Sequence, residues 1–174
     1  CINTINTAVH GIYILQLISK HQQMPVFEFS VLVNTDVKTA WETYHTPEAM
    51  AEIDENTKEI TVTHKTEEGL GTKYQTKGLI NGEIKTYDLT VTTYKPNEMI
   101  EVSGGNEQVN VVYTVKFTPV SDKVTRITYQ TKAGVNGKDE IAPPLEPGLL
   151  EKLTEAARAK MQQKSEAKFG AVVA

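Results

Sequence analysis

The stretch LEPGLLEKLTEAARAKMQQKSEAKF, Leu145 to Phe169, is the one long helical pattern in this chain. Leu149, Leu150, Leu153, Ala156, Ala157 and Met161 recur at i, i+3, i+4 and i+7, one face of a helix, while Glu151, Lys152, Glu155, Arg158, Lys160 and Lys164 fill most of the remainder. A helix with such a stripe has to lie on an apolar surface. Small residues, Ala156 and Ala157, stand between bulky Leu153 and Met161, so the stripe has a gap where either a sheet comes close or a ligand sits.

The surface comes from what precedes the helix. Phe27, Phe29, Val31 and Val33 alternate with Glu28, Ser30 and Leu32, a first strand from Phe27 to Val33. Asn34, Thr35 and Asp36 then offer cap chemistry ahead of Val37, Ala40, Trp41 and Tyr44 at helical spacing. Thr46-Pro47-Glu48 is a second helix start, with an N-cap, a proline at the first position and an acid in the first turn, before Ala49, Met50 and Ile53. From residue 57 to 133 the chain turns to threonine, valine, isoleucine and tyrosine in six strand-length runs: Lys58 to Lys65, Thr72 to Ile80, Glu83 to Tyr94, Met99 to Ser103, Val109 to Thr118 and Val124 to Ala133. Gly69 and Gly71, Asn81-Gly82, Pro96-Asn97, Gly104-Gly105-Asn106 and Ser121-Asp122 read as the turns between them. Connections this short make neighbouring strands antiparallel. Residues 134–144, rich in glycine and proline, carry the chain to the long helix.

Composition removes several function classes. At 174 residues the chain is long enough for one domain with a real core. Its single cysteine, Cys1, has no partner within the chain, and no Asn-x-Ser/Thr acceptor occurs, which favours a reducing, cytoplasmic setting. A net charge of -4 with no block of Lys or Arg makes a nucleic acid a poor partner. Residues 1–23 read differently from the rest. Their apolar run, Ile12 to Ile18, is too short to span a bilayer and lacks the basic start of a signal peptide. They are expected to be an N-terminal extension outside the fold, with residues 24–174 forming the domain.

Metal and nucleophile chemistry find no support in the spacing. His10, His21, His45 and His64 show no paired ligand pattern, Cys1 is terminal, and no Gly-x-Ser-x-Gly turn exists. Gly69-Leu70-Gly71 lacks the lysine of a phosphate loop. No catalytic residue, metal ligand or cofactor is therefore assigned. Asp88, Glu101, His64 and Arg126 sit in predicted strands as acid–base candidates; alternation puts Asp88 with Thr86, Thr90 and Thr92 on the outer side, and Arg126 with Val124, Thr128 and Gln130, while Glu101 is ambiguous. Tyr74, Tyr87, Tyr113 and Tyr129 recur along the strands. They fit equally well as ordinary strand aromatics or as polar handles in an apolar pocket.

The order is strand, helix, helix, six strands, long helix. Phe27 to Val33 leading into Thr35-Asp36-Val37-Lys38-Thr39-Ala40-Trp41, then Thr46-Pro47-Glu48 and Glu68-Gly69-Leu70-Gly71-Thr72, resembles the START-like superfamily, which includes polyketide cyclase/dehydrase and lipid-transport proteins. The resemblance covers about Met24 to Phe169. It implies an α+β fold in which a seven-stranded curved antiparallel sheet grips the long C-terminal helix, with two short helices between strands 1 and 2 and a cavity between helix and sheet. Face and family architecture together nominate Trp41, Met50, Tyr87, Tyr113, Tyr129, Leu153, Ala157 and Met161 as lining residues. The implied function is non-catalytic binding or transport of a hydrophobic small molecule, whether lipid, polyketide-like or aromatic. An enzyme of the cyclase or dehydratase kind, or an interaction module with a filled core, are the alternatives. Oligomeric state has no signal in the sequence.

Overall fold

The computed structural model describes residues 26–53, 57–80, 83–107, 109–135 and 148–173. The expected N-terminal extension, the expected Asn81-Gly82 turn and Leu145 to Pro147 lie outside the described residues. The elements are β1 (Val26–Val33), α1 (Val37–Tyr44), α2 (Pro47–Ala51), β2 (Thr57–His64), β3 (Lys73–Ile80), β4 (Glu83–Lys95), β5 (Met99–Gly105), β6 (Val109–Ser121), β7 (Val124–Val135) and α3 (Leu149–Phe169).

Local chemistry sets the helix starts. The Asp36 carboxylate accepts the Thr39 N–H at 3.0 Å and the Thr39 hydroxyl at 2.8 Å, bonds that hold its pKa below the usual value. Thr46 caps α2 by accepting the Ala49 N–H at 3.2 Å, with Pro47 following it. Gly148 opens α3 at φ 78 without a side-chain cap.

The seven strands form one curved antiparallel sheet in the order β1-β7-β6-β5-β4-β3-β2. The two edge strands are therefore consecutive in the chain, and α1 and α2 carry it from one edge to the other before it meanders back. Alternation places one set of side chains on the inner face, and the register arranges them in rows. Phe29, Tyr129, Val115 and Ile100 form one row; Thr131, Tyr113, Val102 and Val91 the next; Val111, Gly104, Leu89 and Tyr74 the next. Thr76 then faces Tyr87 on one side and Ile60 on the other. Outward, Asp88 and Arg126 are exposed, and Glu101 shares the outer face with Met99 and Ser103, its carboxylate accepting the Thr92 hydroxyl at 3.0 Å.

Two local expectations change. Gly104-Gly105 is strand rather than turn, because β5 continues through it paired to β4 and β6. A Cβ on Gly104 would lie 1.9 Å from the Asp88 carbonyl oxygen, so only glycine admits this approach of the two strands. Along α3, Ala156 is exposed; the buried face runs through Ala157, Met161 and Ser165. The gap of two small residues in the apolar stripe thus reduces to Ala157.

Candidate functional site

The long helix packs closely along β1, and its side-chain ties gather in its last three turns. Gln162 donates to the Leu32 carbonyl at 3.2 Å, and Asn34 donates to the Phe169 carbonyl at 3.2 Å. Lys164 donates to the Glu52 carbonyl at 2.8 Å. Tyr44 of α1 donates to Ser165 at 3.3 Å, Ser165 donates back to the Met161 carbonyl at 2.8 Å, and the Tyr44 ring meets Phe169 edge-on at 6.3 Å. The helix is held by the end of β1, by α1 and by the segment after α2.

Beneath this anchor the fully buried Met161 meets Tyr129 of β7, whose hydroxyl donates to the Met161 sulfur at 3.9 Å. A thioether is a weak acceptor, so this phenol is poorly served for a buried group. Burial drives the Tyr129 pKa far above its ordinary value and keeps the phenol neutral. The Tyr129 ring stacks on Phe29 at 5.1 Å. Ala157 is buried one helical turn before Met161 on the same face.

Of the other nominated residues, Tyr113 is half-buried one row from Tyr129, and Tyr87 is buried further toward the β3–β4 hairpin. Leu153 belongs to α3, its side chain outside the described residues. Trp41 makes its ring contacts with other aromatic side chains of the core. It is buried under α1 with its ring edge-on to Tyr94 at 5.3 Å and Phe117 at 5.1 Å, and His45 stacks on it at 4.8 Å. The His45 Nδ1 is 2.7 Å from the Trp41 carbonyl, which fixes the imidazole over the indole. Met50 is half-buried and packs on the edge of the core. The structure brings Tyr129, Ala157 and Met161 together, and Trp41 belongs to the same buried core with its ring against Tyr94, Phe117 and His45.

Sequence reasoning noticed Tyr74 without nominating it and missed Thr76 and Ser165. Tyr74 is buried on the inner face, and burial first, then the nearby charge of Glu48 and the Tyr94 phenol, pushes its pKa up to about 12. Ser165 sits at i+4 from Met161, so it continued the helical stripe; a polar side chain there hid the signal. Among the described residues no three His, Cys, Asp or Glu side chains gather as a metal-binding group, and no helix is long and apolar enough to cross a membrane.

A curved antiparallel sheet wrapped on one long C-terminal helix, with two short helices bridging its edges, is the helix-grip architecture of the START-like superfamily. The chain belongs to the polyketide cyclase/dehydrase and lipid transport family, whose sequence model matches residues 24–170. Solved structures agree in fold. A START superfamily protein from Mycobacterium smegmatis superposes with a TM-score of 0.61 at 13% identity, covering 82% of this chain and 98% of the other. The ZhuI aromatase/cyclase from Streptomyces sp. R1128 gives 0.56 at 15% identity over 85% and 92%. The ginseng major latex-like protein 151 from Panax ginseng gives 0.56 at 9% identity over 82% and 97%. No curated protein sequence matches the chain.

Proposed function

We propose that the protein binds a hydrophobic small molecule, without transforming it, between the inner face of the sheet and α3. The observation that carries this reading is the Tyr129 phenol: buried, neutral, set in an apolar surface of Phe29, Val115 and Met161, and bonded among the described residues only to a sulfur. A ligand oxygen would serve it better than the thioether does. Apolar contact would supply most of the affinity, at roughly 25 cal/mol per Å² of ligand surface removed from water. Tyr113, Tyr87, Ala157 and the Leu153 position extend the lining, while Trp41 and Met50 back it from the α1 and α2 side. Family membership supports a lipid, polyketide-like or aromatic ligand.

Binding is favoured over catalysis because the strand residues weighed as acids and bases do not face the core: Asp88, Glu101 and Arg126 turn to the outer face and His64 is exposed. The second reading, a cyclase or dehydratase, has one observation in its favour: a buried neutral phenol with a weak partner can also donate to a reacting carbonyl. Residues 24–174 would form the binding domain, and the cysteine usage fits a cytoplasmic setting. Native mass spectrometry of the purified protein tests the reading. A co-purifying apolar compound released unchanged supports a binder, and its conversion, lost in Tyr129→Phe, supports the enzyme. A protein that neither retains nor takes up any apolar compound refutes both.

A further inference from the structure

Three buried hydroxyls in this domain have clear local duties. Thr125 donates to the Thr35 carbonyl at 3.0 Å, tying β7 to the chain before α1. Thr72 accepts the Thr66 N–H at 3.2 Å and lies 3.0 Å from the Thr66 hydroxyl, closing the glycine turn before β3. Ser165 bridges α3 and α1. Thr76 differs from these three. It is 1% exposed, in the middle of β3, and among the described residues its hydroxyl has no hydrogen-bond partner.

An unbonded buried hydroxyl is destabilising, and valine would fill the same volume without one. The neighbourhood suggests what the hydroxyl is for. Thr76 shares the inner face with Tyr74 two residues earlier, pairs with Tyr87 of β4 and with Ile60 of β2, and so lies between two phenol rings and an aliphatic side chain. The charge nearby is negative: Glu48 lies close enough to Tyr74 to raise its pKa, while Leu89, Ile60 and Gly78 occupy the adjoining register positions. The cation that alternation places on this face, Lys85, is one pair nearer the hairpin and is ion-paired to Glu83. A ligand bearing an ionised carboxylate would be buried there without a counter-charge.

We propose that the Thr76 hydroxyl is the hydrogen-bonding contact for a neutral oxygen, a phenolic hydroxyl or a ketone, on an aromatic ligand held against Tyr74 and Tyr87. This rests on the reading above that the inner face is a ligand site, and it gives that site its polarity and ligand class. Tyr129 and Thr76 then stand at opposite ends of the same face, separated in the register by the rows of Tyr113 and Leu89.

Calorimetric titration near neutral pH with 2-naphthol, naphthalene and 2-naphthoate is the test. Naphthalene is the most hydrophobic of the three, so burial alone ranks it first. The inference expects the wild type to prefer 2-naphthol by about tenfold, the worth of one hydrogen bond to an otherwise unserved group, and to bind 2-naphthoate most weakly. Thr76→Val should abolish the preference while keeping naphthalene, and should raise the melting temperature of the free protein; Thr76→Ser should keep the preference. Equal wild-type affinity for 2-naphthol and naphthalene overturns the inference without any variant. So does a preference that survives in Thr76→Val, and in both cases the ligand site itself stands. A wild type that binds none of the three refutes the site, and the inference with it.

Discussion

The tie between Tyr44 and Ser165 offers a direct measure of what holds the long helix to the rest of the domain. Ser165 is 1% exposed; it accepts from the Tyr44 hydroxyl at 3.3 Å and donates to the Met161 carbonyl at 2.8 Å. The two ends of the bond are unequal. Ser165→Ala leaves the Tyr44 hydroxyl, whose pKa burial already raises, without its acceptor, and is expected to cost about 1–3 kcal/mol. Tyr44→Phe leaves Ser165 its bond to Met161, so the loss should be only about 0.5–1.5 kcal/mol. The double variant should be little worse than Ser165→Ala, because the orphaned hydroxyl is then gone, giving a coupling of about 0.5–1.5 kcal/mol. Urea denaturation of the four proteins, compared at a common m-value, reads these quantities. Additive losses, or a Tyr44→Phe loss larger than that of Ser165→Ala, would refute the reasoning and show that α3 is held by its apolar face and other ties alone.

Three further perturbations separate packing from ligand contact. Gly104→Ala forces a methyl group against the Asp88 carbonyl and should cost about 3 kcal/mol or more, whereas Gly71→Ala, strained at φ +79 but with only Thr66 Cγ2 at 3.8 Å, should cost about 1–2 kcal/mol; equal melting temperatures would contradict the β4–β5 close approach. Trp41→Phe should lower stability by about 1–2 kcal/mol yet leave 2-naphthol affinity within about twofold, since its ring contacts are Tyr94, Phe117 and His45; a large affinity loss would return Trp41 to the lining. Alkaline pH should destabilise the fold. An unfolded tyrosine ionises near 10.0 while Tyr74 keeps its proton to about 12, so its stabilising contribution is complete below pH 10 and drains away between 10 and 12. Tyr74→Phe should flatten the fall of melting temperature across that window, and an unchanged slope would show that Tyr74 is not the group responsible.

Much of the fold was legible because it rests on local periodicity. Alternation in Phe27 to Val33 and the cap residues Asp36 and Thr46 marked β1 and both short helices, and short turns fixed the antiparallel order. Misreadings came where one residue type serves two physical ends. Glycine at 104 and 105 ordinarily signals a turn, but here its missing side chain lets two strands approach, a demand made by a strand that is adjacent only after folding. Ala156 was counted in the stripe because alanine fits either side of a helix, whereas Ser165 was excluded by a polarity that Tyr44 satisfies from 121 residues away. The aromatic partners of Trp41, Tyr94 and Phe117, come from β4 and β6 and meet it only in the folded chain.

The site was less legible than the fold for a related reason. A fold is specified by apolar groups that are satisfied once buried, and burial follows a period that the sequence displays. A ligand site in an apolar face is specified instead by polar groups that remain unsatisfied after folding, and that is a property of the finished structure. Thr76, Thr72 and Thr125 are the same residue type, all in or beside strands where threonine is common, and all buried. Only the partner inventory separates them: Thr66 serves one, the Thr35 carbonyl another, and nothing among the described residues serves the third. Tyr129 makes the same point more weakly, with a sulfur where an oxygen would bond better. Had both groups been fully bonded within the chain, the inner face would read as plain core, and the interaction-module alternative would have the stronger argument. Their poor satisfaction, at separate rows of one apolar face, favours a ligand that brings its own oxygens.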